Sequence, residues 1–176
     1  MKSGAAPPAR AVPAGPGDRL TPPRMFALRF FLFLAAASVL AWAVALPMRL
    51  SVPQRWLAAA ATWLAGLAGS GATTRGDQIH VSGLIVHINF ECTGMYVLLI
   101  LFVFLLAYPA SWRDRLTGAA IGAVALTALN IFRIAVLIRA AELQPALFAY
   151  LHEYVWQGVF LVLTIAYAMG WVQRTR

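Results

Sequence analysis

The sequence predicts an all-α integral membrane protein with about four transmembrane helices, an interfacial amphipathic helix and a short extracytoplasmic β-hairpin. Of its 176 residues, 61% are hydrophobic and 11% are charged, and the mean hydropathy is +0.75. Water-soluble domains do not have this composition. Several apolar runs approach the roughly 20 residues that a helix needs to cross a bilayer. The net charge of +8 comes from arginines at the ends of those runs, so the expected partner is the lipid bilayer and not nucleic acid.

Residues 1–24 are predicted to form a disordered basic tail, and residues 25–176 a single membrane domain. The tail combines Pro, Gly, Ala and isolated charges without apolar periodicity, so it cannot bury enough surface to offset its ordering entropy. Residues 26–46 then form the first predicted span. The small residues Ala43-Val44-Ala45 also fit a signal-peptide cleavage site, but the run exceeds the usual apolar core of about 7 to 15 residues.

Residues 53–72 predict an amphipathic helix lying in the membrane interface. The run is short, rich in alanine and followed by small residues. Tryptophan favours the headgroup region, which fits a helix in the interface better than a span. The larger apolar residues recur at helical spacing on one predicted face: Trp56, Leu57, Ala60, Trp63, Leu64 and Leu67.

Residues 77–90 predict a short β-hairpin. Apolar and polar residues alternate with a period of two on both sides of Ser82-Gly83, as in paired strands joined by a tight turn. His80 and His87 suggest a metal site together with Cys92 and His152, but their spacing matches no recognised zinc pattern. No metal or other cofactor is therefore expected.

Three further spans are predicted over residues 93–108, 116–138 and 154–171. With four spans, nine basic residues fall on the cytoplasmic side, as the positive-inside rule prefers. A crossing by residues 53–72 would move four of them outside, so both termini are expected in the cytoplasm. The nine residues are Lys2, Arg10, Arg19, Arg24, Arg29, Arg113, Arg115, Arg174 and Arg176.

Three chemically capable residues are predicted to lie at nearly the same depth. Cys92 is 17 residues before Pro109, and Arg133 is 17 residues after Leu116. Both therefore lie about 25 Å from the cytoplasmic boundary at 1.5 Å per helical residue. His152 precedes Trp171 by 19 residues, which places it about 28 Å up. The outer leaflet is where these side chains can meet.

The chemistry of the three residues fits nucleophilic catalysis. A thiolate attacks carbonyls, an imidazole moves protons and a guanidinium holds an oxyanion. Taken singly, each residue has a simpler interpretation. A lone cysteine often behaves as a small hydrophobe, and a histidine at a membrane boundary is commonly interfacial.

The arginine is harder to explain structurally. Its burial within a span costs about 2.5 to 3.5 kcal/mol, so Arg133 either snorkels to the interface, bonds to Asn130 three residues earlier, or acts at a site. Glu91 and Glu153 can orient the imidazole or balance the arginine. Solvated outer-loop charges are the simpler reading of both.

Two short motifs and one residue resemble the exosortase and archaeosortase family: Glu91-Cys92-Thr93-Gly94, Asn130-Ile131-Phe132-Arg133, and His152 at the start of the last span. The resemblance covers roughly residues 90–171. It implies a membrane-embedded cysteine protease or transpeptidase with Cys92 as nucleophile, Arg133 as stabiliser of the transition state and His152 as general acid and base. It implies supporting roles for Asn130, Glu91, Gly94 and Arg139.

The same resemblance implies a substrate class. Family members process exported proteins whose C-terminal signal joins a short motif, a hydrophobic helix and a basic cluster. It implies a prokaryotic cell (inner) membrane location with the site facing outward. Larger members have about eight spans, so this chain resembles a short form. The alternative from another class is a non-catalytic membrane assembly or transport subunit, in which Arg133 pairs with Glu91 or Glu153.

Overall fold

The computed structural model describes residues 23–45 and 51–175. Most of the predicted tail, residues 1–22, lies outside them, as does Leu46 at the end of the first predicted span. Helix α1 runs over Pro23–Ala45 and packs along α3, Met95–Ala107. The first helix therefore begins three residues before the predicted span, within the last two positions assigned to the tail.

The later helices are longer than their predicted spans. Helix α4 covers Trp112–Leu143 instead of 116–138, because the Ser111 side chain accepts a hydrogen bond from the Asp114 backbone N–H and caps the first turn. The last helical unit consists of α5 (Pro145–Tyr150), a π-helical turn (Leu151–Val155) and α6 (Trp156–Thr175). The predicted span over residues 154–171 lies within this longer unit, because proline at the first helical position begins the helix nine residues before residue 154.

Two of the described helices are long and apolar enough to cross a membrane. They are Trp112–Leu143 and the continuous unit Ala146–Thr175. Helix α3, with 13 residues, and the apolar part of α1, Met25–Ala41, are shorter than a full crossing. The mainly helical fold with a small sheet is confirmed, whereas the count of four crossings stays a prediction.

The predicted hairpin is present and belongs to a three-stranded antiparallel sheet of order β1-β2-β3. Strands β2 (Gln78–Val81) and β3 (Leu84–His87) pair around Ser82 and Gly83, which have φ angles of 47° and 81°. Strand β1 (Thr73–Arg75) was not predicted, and it pairs antiparallel with β2. The sheet connects α2 to the segment that carries Cys92.

Helix α2 covers Ser51–Leu67 and ends five residues before its predicted limit. Its alanine-rich side packs on α4, where Ala58 and Ala61 are fully buried. Trp56 and Trp63 are 56% and 67% exposed, so the tryptophans of the predicted face do not pack on the protein, whereas Leu57 of that face is buried in the core. Small residues let two helix backbones approach closely, which explains why the alanines and not the tryptophans contact α4.

Two glycines set the packing of α4 at the end opposite Cys92. A Cβ added at Gly118 would collide with the indole of Trp171, and one at Gly122 would lie 2.6 Å from Leu101 Cδ2. The Tyr167 hydroxyl also donates to the Gly118 carbonyl at 2.5 Å. These contacts hold α3, α4 and α6 together and thereby fix the relative positions of the helices that carry the candidate site.

Candidate functional site

Cys92 lies in a short 3₁₀ turn, Glu91–Thr93, that joins the sheet to α3. Its backbone N–H donates to the Asn89 carbonyl at 3.1 Å and to the Asn89 side-chain oxygen at 3.0 Å. Gly94 follows with a φ of 72°, a left-handed conformation that glycine adopts without strain. The turn therefore places Cys92 directly before α3. Asn89 was not among the predicted site residues, although asparagine is a common turn residue.

Asn130 fixes the same turn from α4. Its side chain is 1% exposed, and its Nδ2 donates to the Cys92 carbonyl oxygen at 2.8 Å. Arg133 can only donate, so the suggested bond between these residues would need Asn130 Oδ1 as acceptor; that oxygen has no hydrogen-bond partner among the described residues, and the suggestion is wrong. The reason is that the rotation of α4 directs Asn130 to the cysteine turn, and this rotation cannot be read from helical spacing along α4 alone.

His152 reaches Cys92 from the last helical unit. Its Nε2 lies 4.0 Å from the Cys92 Sγ, at the long limit for a hydrogen bond to sulfur. The imidazole stacks on the Phe148 ring, with 5.7 Å between centroids and 13° between planes. His152 belongs to the π-helical turn Leu151–Val155, and such single turns are frequent at functional sites. The histidine is thus held beside the cysteine by stacking and by local helix geometry.

Arg133 approaches the pair from α4, one turn beyond Asn130. Its guanidinium carbon lies 5.6 Å from the centroid of the Phe160 ring, within range of a cation–π contact. Its Nε is buried and has no hydrogen-bond partner among the described residues. Glu153 is exposed, and the described side chains form one ion pair, which does not involve Arg133. The Glu91 side chain lies outside the described part of the structure.

Cys92, Arg133 and His152, hereafter the site cluster, line one cavity of about 360 Å³. Trp156 and Phe160 of α6 form part of its wall. On the opposite side the cluster borders a space of only about 20 Å³, which is lined by apolar residues of the sheet segment such as Ile79. The sheet therefore closes one side of the cluster, and the larger cavity leaves room for a bound chain on the other.

Arg139 does not line either cavity. Instead it forms an ion pair with Glu142 and donates to the Gly69 carbonyl at 3.4 Å. Glu142 also accepts a hydrogen bond of 2.5 Å from the Ser70 hydroxyl. These contacts tie the loop after α2 to the end of α4. Any support that Arg139 gives to the site cluster is therefore indirect, through the position of this loop.

Histidine, cysteine and carboxylate side chains are the common protein ligands of metal ions. Among the described residues, no group of three or more His, Cys, Asp or Glu residues is arranged to hold a metal ion. His80 lies in the middle of β2, opposite Ile85 of β3.

Trp156 lines the site and was missed by sequence reasoning. Its N–H is buried beside the cavity without a hydrogen-bond partner in the described residues, and a tryptophan in an apolar run gives no signal of this.

Comparison with known proteins extends the resemblance seen in the motifs. The family model for transmembrane exosortases matches residues 19–171, which is most of the chain. No curated protein and no solved structure is significantly similar to it. The family match agrees with the two helices that are long and apolar enough to cross a membrane. The chain is therefore a membrane protein that belongs to the transmembrane exosortase family.

Proposed function

We propose that this protein is a membrane-embedded cysteine protease or transpeptidase that cleaves the C-terminal sorting signals of exported, membrane-anchored proteins. The main support is the 4.0 Å distance between Cys92 Sγ and His152 Nε2 in a cavity that Arg133 also lines. Family membership supports the same reaction class.

The first step forms a thioester on Cys92. His152 Nε2 accepts the thiol proton, and the sulfur attacks the carbonyl carbon of the scissile peptide bond. The carbonyl oxygen becomes an oxyanion, which the Arg133 guanidinium stabilises by donating hydrogen bonds. When the intermediate collapses, the C–N bond breaks and His152 returns the proton to the departing amine. The exported domain is then an acyl group on sulfur.

The second step releases the exported domain. A water molecule or an amine attacks the thioester carbon, His152 accepts its proton, and the Cys92 sulfur leaves and is reprotonated. Water gives proteolysis, and an amine on a surface acceptor gives transfer. Because both nucleophiles attack the same thioester, the three residues serve either outcome.

The surroundings of the cluster suit this chemistry. Asn89 and Asn130 hydrogen-bond the backbone of Cys92, so the sulfur is attached to a fixed turn. The neighbouring walls are largely aromatic and aliphatic, and charge interactions are stronger in such low-dielectric surroundings than in water. The Arg133 stack on Phe160 keeps the guanidinium in the cavity.

We also propose a topology of four crossings with cytoplasmic termini and the site cluster toward the extracytoplasmic face. The arrangement of basic residues at the ends of the apolar runs supports this orientation. Since Cys92 is the only cysteine, a membrane-impermeant thiol reagent applied to intact cells reports on this residue alone. Labelling from outside is expected, and labelling restricted to opened cells contradicts the orientation.

The decisive experiment follows the processing of a reporter in cells. The reporter carries a tail from an exported protein encoded near this gene, with a short motif, an apolar helix of about 20 residues and a basic cluster. Wild type and the matched control His87→Ala, an exposed histidine of β3, are expected to process it. Cys92→Ala and His152→Ala are expected to fail at equal protein abundance. Unchanged processing by Cys92→Ala would exclude a cysteine mechanism.

A further inference from the structure

Two adjoining apolar cavities lie between α3 and α6, from the site cluster toward the C-terminal end of α6. The cavity at the cluster and a second cavity of about 460 Å³ share Ile100 of α3 and Thr164 of α6. The second cavity continues along the same two helices and is bordered by Phe30 of α1. We call these two joined cavities the α3/α6 groove.

The groove has the length and lining of a site for one apolar helix. Along α6 it extends from Gln157 to Gln173, which are 16 residues apart and therefore about 24 Å. This length approaches the hydrocarbon thickness of roughly 30 Å. Leu161 and Met169, both on its rim, are 62% and 58% exposed. Thr164 is the polar residue midway, and its hydroxyl already donates to a carbonyl of its own helix.

The outer end of the groove has hydrogen-bond donors without acceptors. The N–H of Trp156, whose side chain is 8% exposed, and the Nε of Arg133 are buried without partners among the described residues. Both residues line the part of the groove that contains Cys92. Backbone polar groups in a bilayer must be satisfied by a helix or by protein. The two N–H groups at this end can therefore donate hydrogen bonds to the carbonyl oxygens of a chain that leaves its helix here.

We propose that the α3/α6 groove binds the hydrophobic helix of the substrate's sorting signal, so that the extended segment before that helix passes Trp156 and reaches Cys92. This inference rests on the proposed function and adds where the substrate lies and how it enters. A lipid chain or a second copy also fits an apolar groove. The substrate helix is favoured because the groove opens onto the site cluster, and only a polypeptide continuing beyond its helix presents a peptide bond to the Cys92 sulfur.

Disulfide crosslinking tests this placement without requiring turnover. In a Cys92→Ala background, single cysteines are introduced by Ile100→Cys or Met169→Cys in the groove, and by Val124→Cys as a control on the exposed face of α4. The probe is the reporter tail described above with one cysteine in the middle of its apolar helix. Crosslinking is expected at the two groove positions. None is expected at Val124, which is 71% exposed.

A second pair of variants tests whether filling the groove blocks the substrate. Ala168 lines the groove, whereas Ala125 is exposed on α4. In the otherwise wild-type chain, Ala168→Trp is expected to reduce processing of the reporter by about tenfold or more, and Ala125→Trp to leave it unchanged. Equal processing by the two variants at equal abundance would contradict the placement.

The outcomes separate this inference from the proposed function. If processing depends on Cys92 but crosslinks form equally at Val124 and the groove positions, or at none of them, the groove is overturned and the enzyme assignment stands. Groove crosslinks with processing that does not depend on Cys92 support the binding site and overturn the enzyme assignment. If two copies of Ile100→Cys crosslink to each other and still do so when the tail is added, a second copy occupies the groove. This result also overturns the proposal.

Discussion

Asn130 provides the sharpest test of how the cysteine is positioned, because its side chain is 1% exposed and donates to the Cys92 carbonyl at 2.8 Å. Asn130→Leu keeps the number and branching of the side-chain heavy atoms and removes the donor. A buried carbonyl left without its partner costs about 1 to 3 kcal/mol. If that cost appears in the positioning of the turn, the processing rate falls by about 5-fold to 150-fold.

The assay measures two quantities on purified protein in detergent: reporter processing per folded molecule, and the alkylation rate of the single thiol. Both are expected to change in Asn130→Leu. A control on the same helix is Thr117→Val, because the Thr117 hydroxyl bonds only to carbonyls of its own turn. If Asn130→Leu alkylates and processes within about twofold of wild type, a difference below 0.5 kcal/mol, this hydrogen bond does not position Cys92.

Three further predictions concern single positions. Arg133→Gln is expected to lower the rate of reporter processing by a factor of about 10² to 10³, the usual loss for an oxyanion donor. Arg75→Gln, in strand β1, is the control and is expected to leave the rate unchanged in the same assay. Gly118→Ala is expected to destabilise the protein by about 1 to 3 kcal/mol, because the added methyl group collides with the indole packed on this glycine. The control Gly170→Ala, with open space around it, is expected to keep or raise the melting temperature. Equal melting temperatures for the two variants would contradict the packing. Gly94→Ala forces an L-residue into a left-handed conformation at a cost of about 1 to 2 kcal/mol. The alkylation rate of the sole cysteine is therefore expected to change. An unaltered rate would show that the turn tolerates a side chain.

Some of this structure follows from local sequence patterns. The β2–β3 turn was predictable because Ser82-Gly83 interrupts two runs of period two, and its positive φ angles are those of a tight hairpin. A similar depth for Cys92 and His152 was predicted because helix rise converts residue number into depth, but spacing along the helices could not show that the two side chains face one another. The prediction needed only the ends of the apolar runs, which charged residues and prolines mark clearly.

Other features depend on relations between segments. Strand β1 has three polar residues and no periodicity, so only its pairing with β2 reveals it. The alanine side of α2 that packs on α4 was not predicted, because large apolar residues dominate a helical pattern and Ala58 and Ala61 do not. The Asn130 hydrogen bond requires the rotation of α4 relative to the cysteine turn, which no single helix contains. The roles of the site residues stay predictions, because the relative positions of side chains do not by themselves show which chemical step each performs.

The π-helical turn at Leu151–Val155 makes the length of the last helical unit part of the site. Such a turn holds one residue more than an α-helical turn would. Deleting the extra residue converts this turn to an ordinary α-helical turn, so the flanking helices keep nearly the same relation while the residues inside the turn rotate about the helix axis. His152 would then point away from Cys92 although every reactive residue remained. Under the proposed mechanism, a homologous chain with this segment one residue shorter would carry all three residues without holding the histidine beside the cysteine.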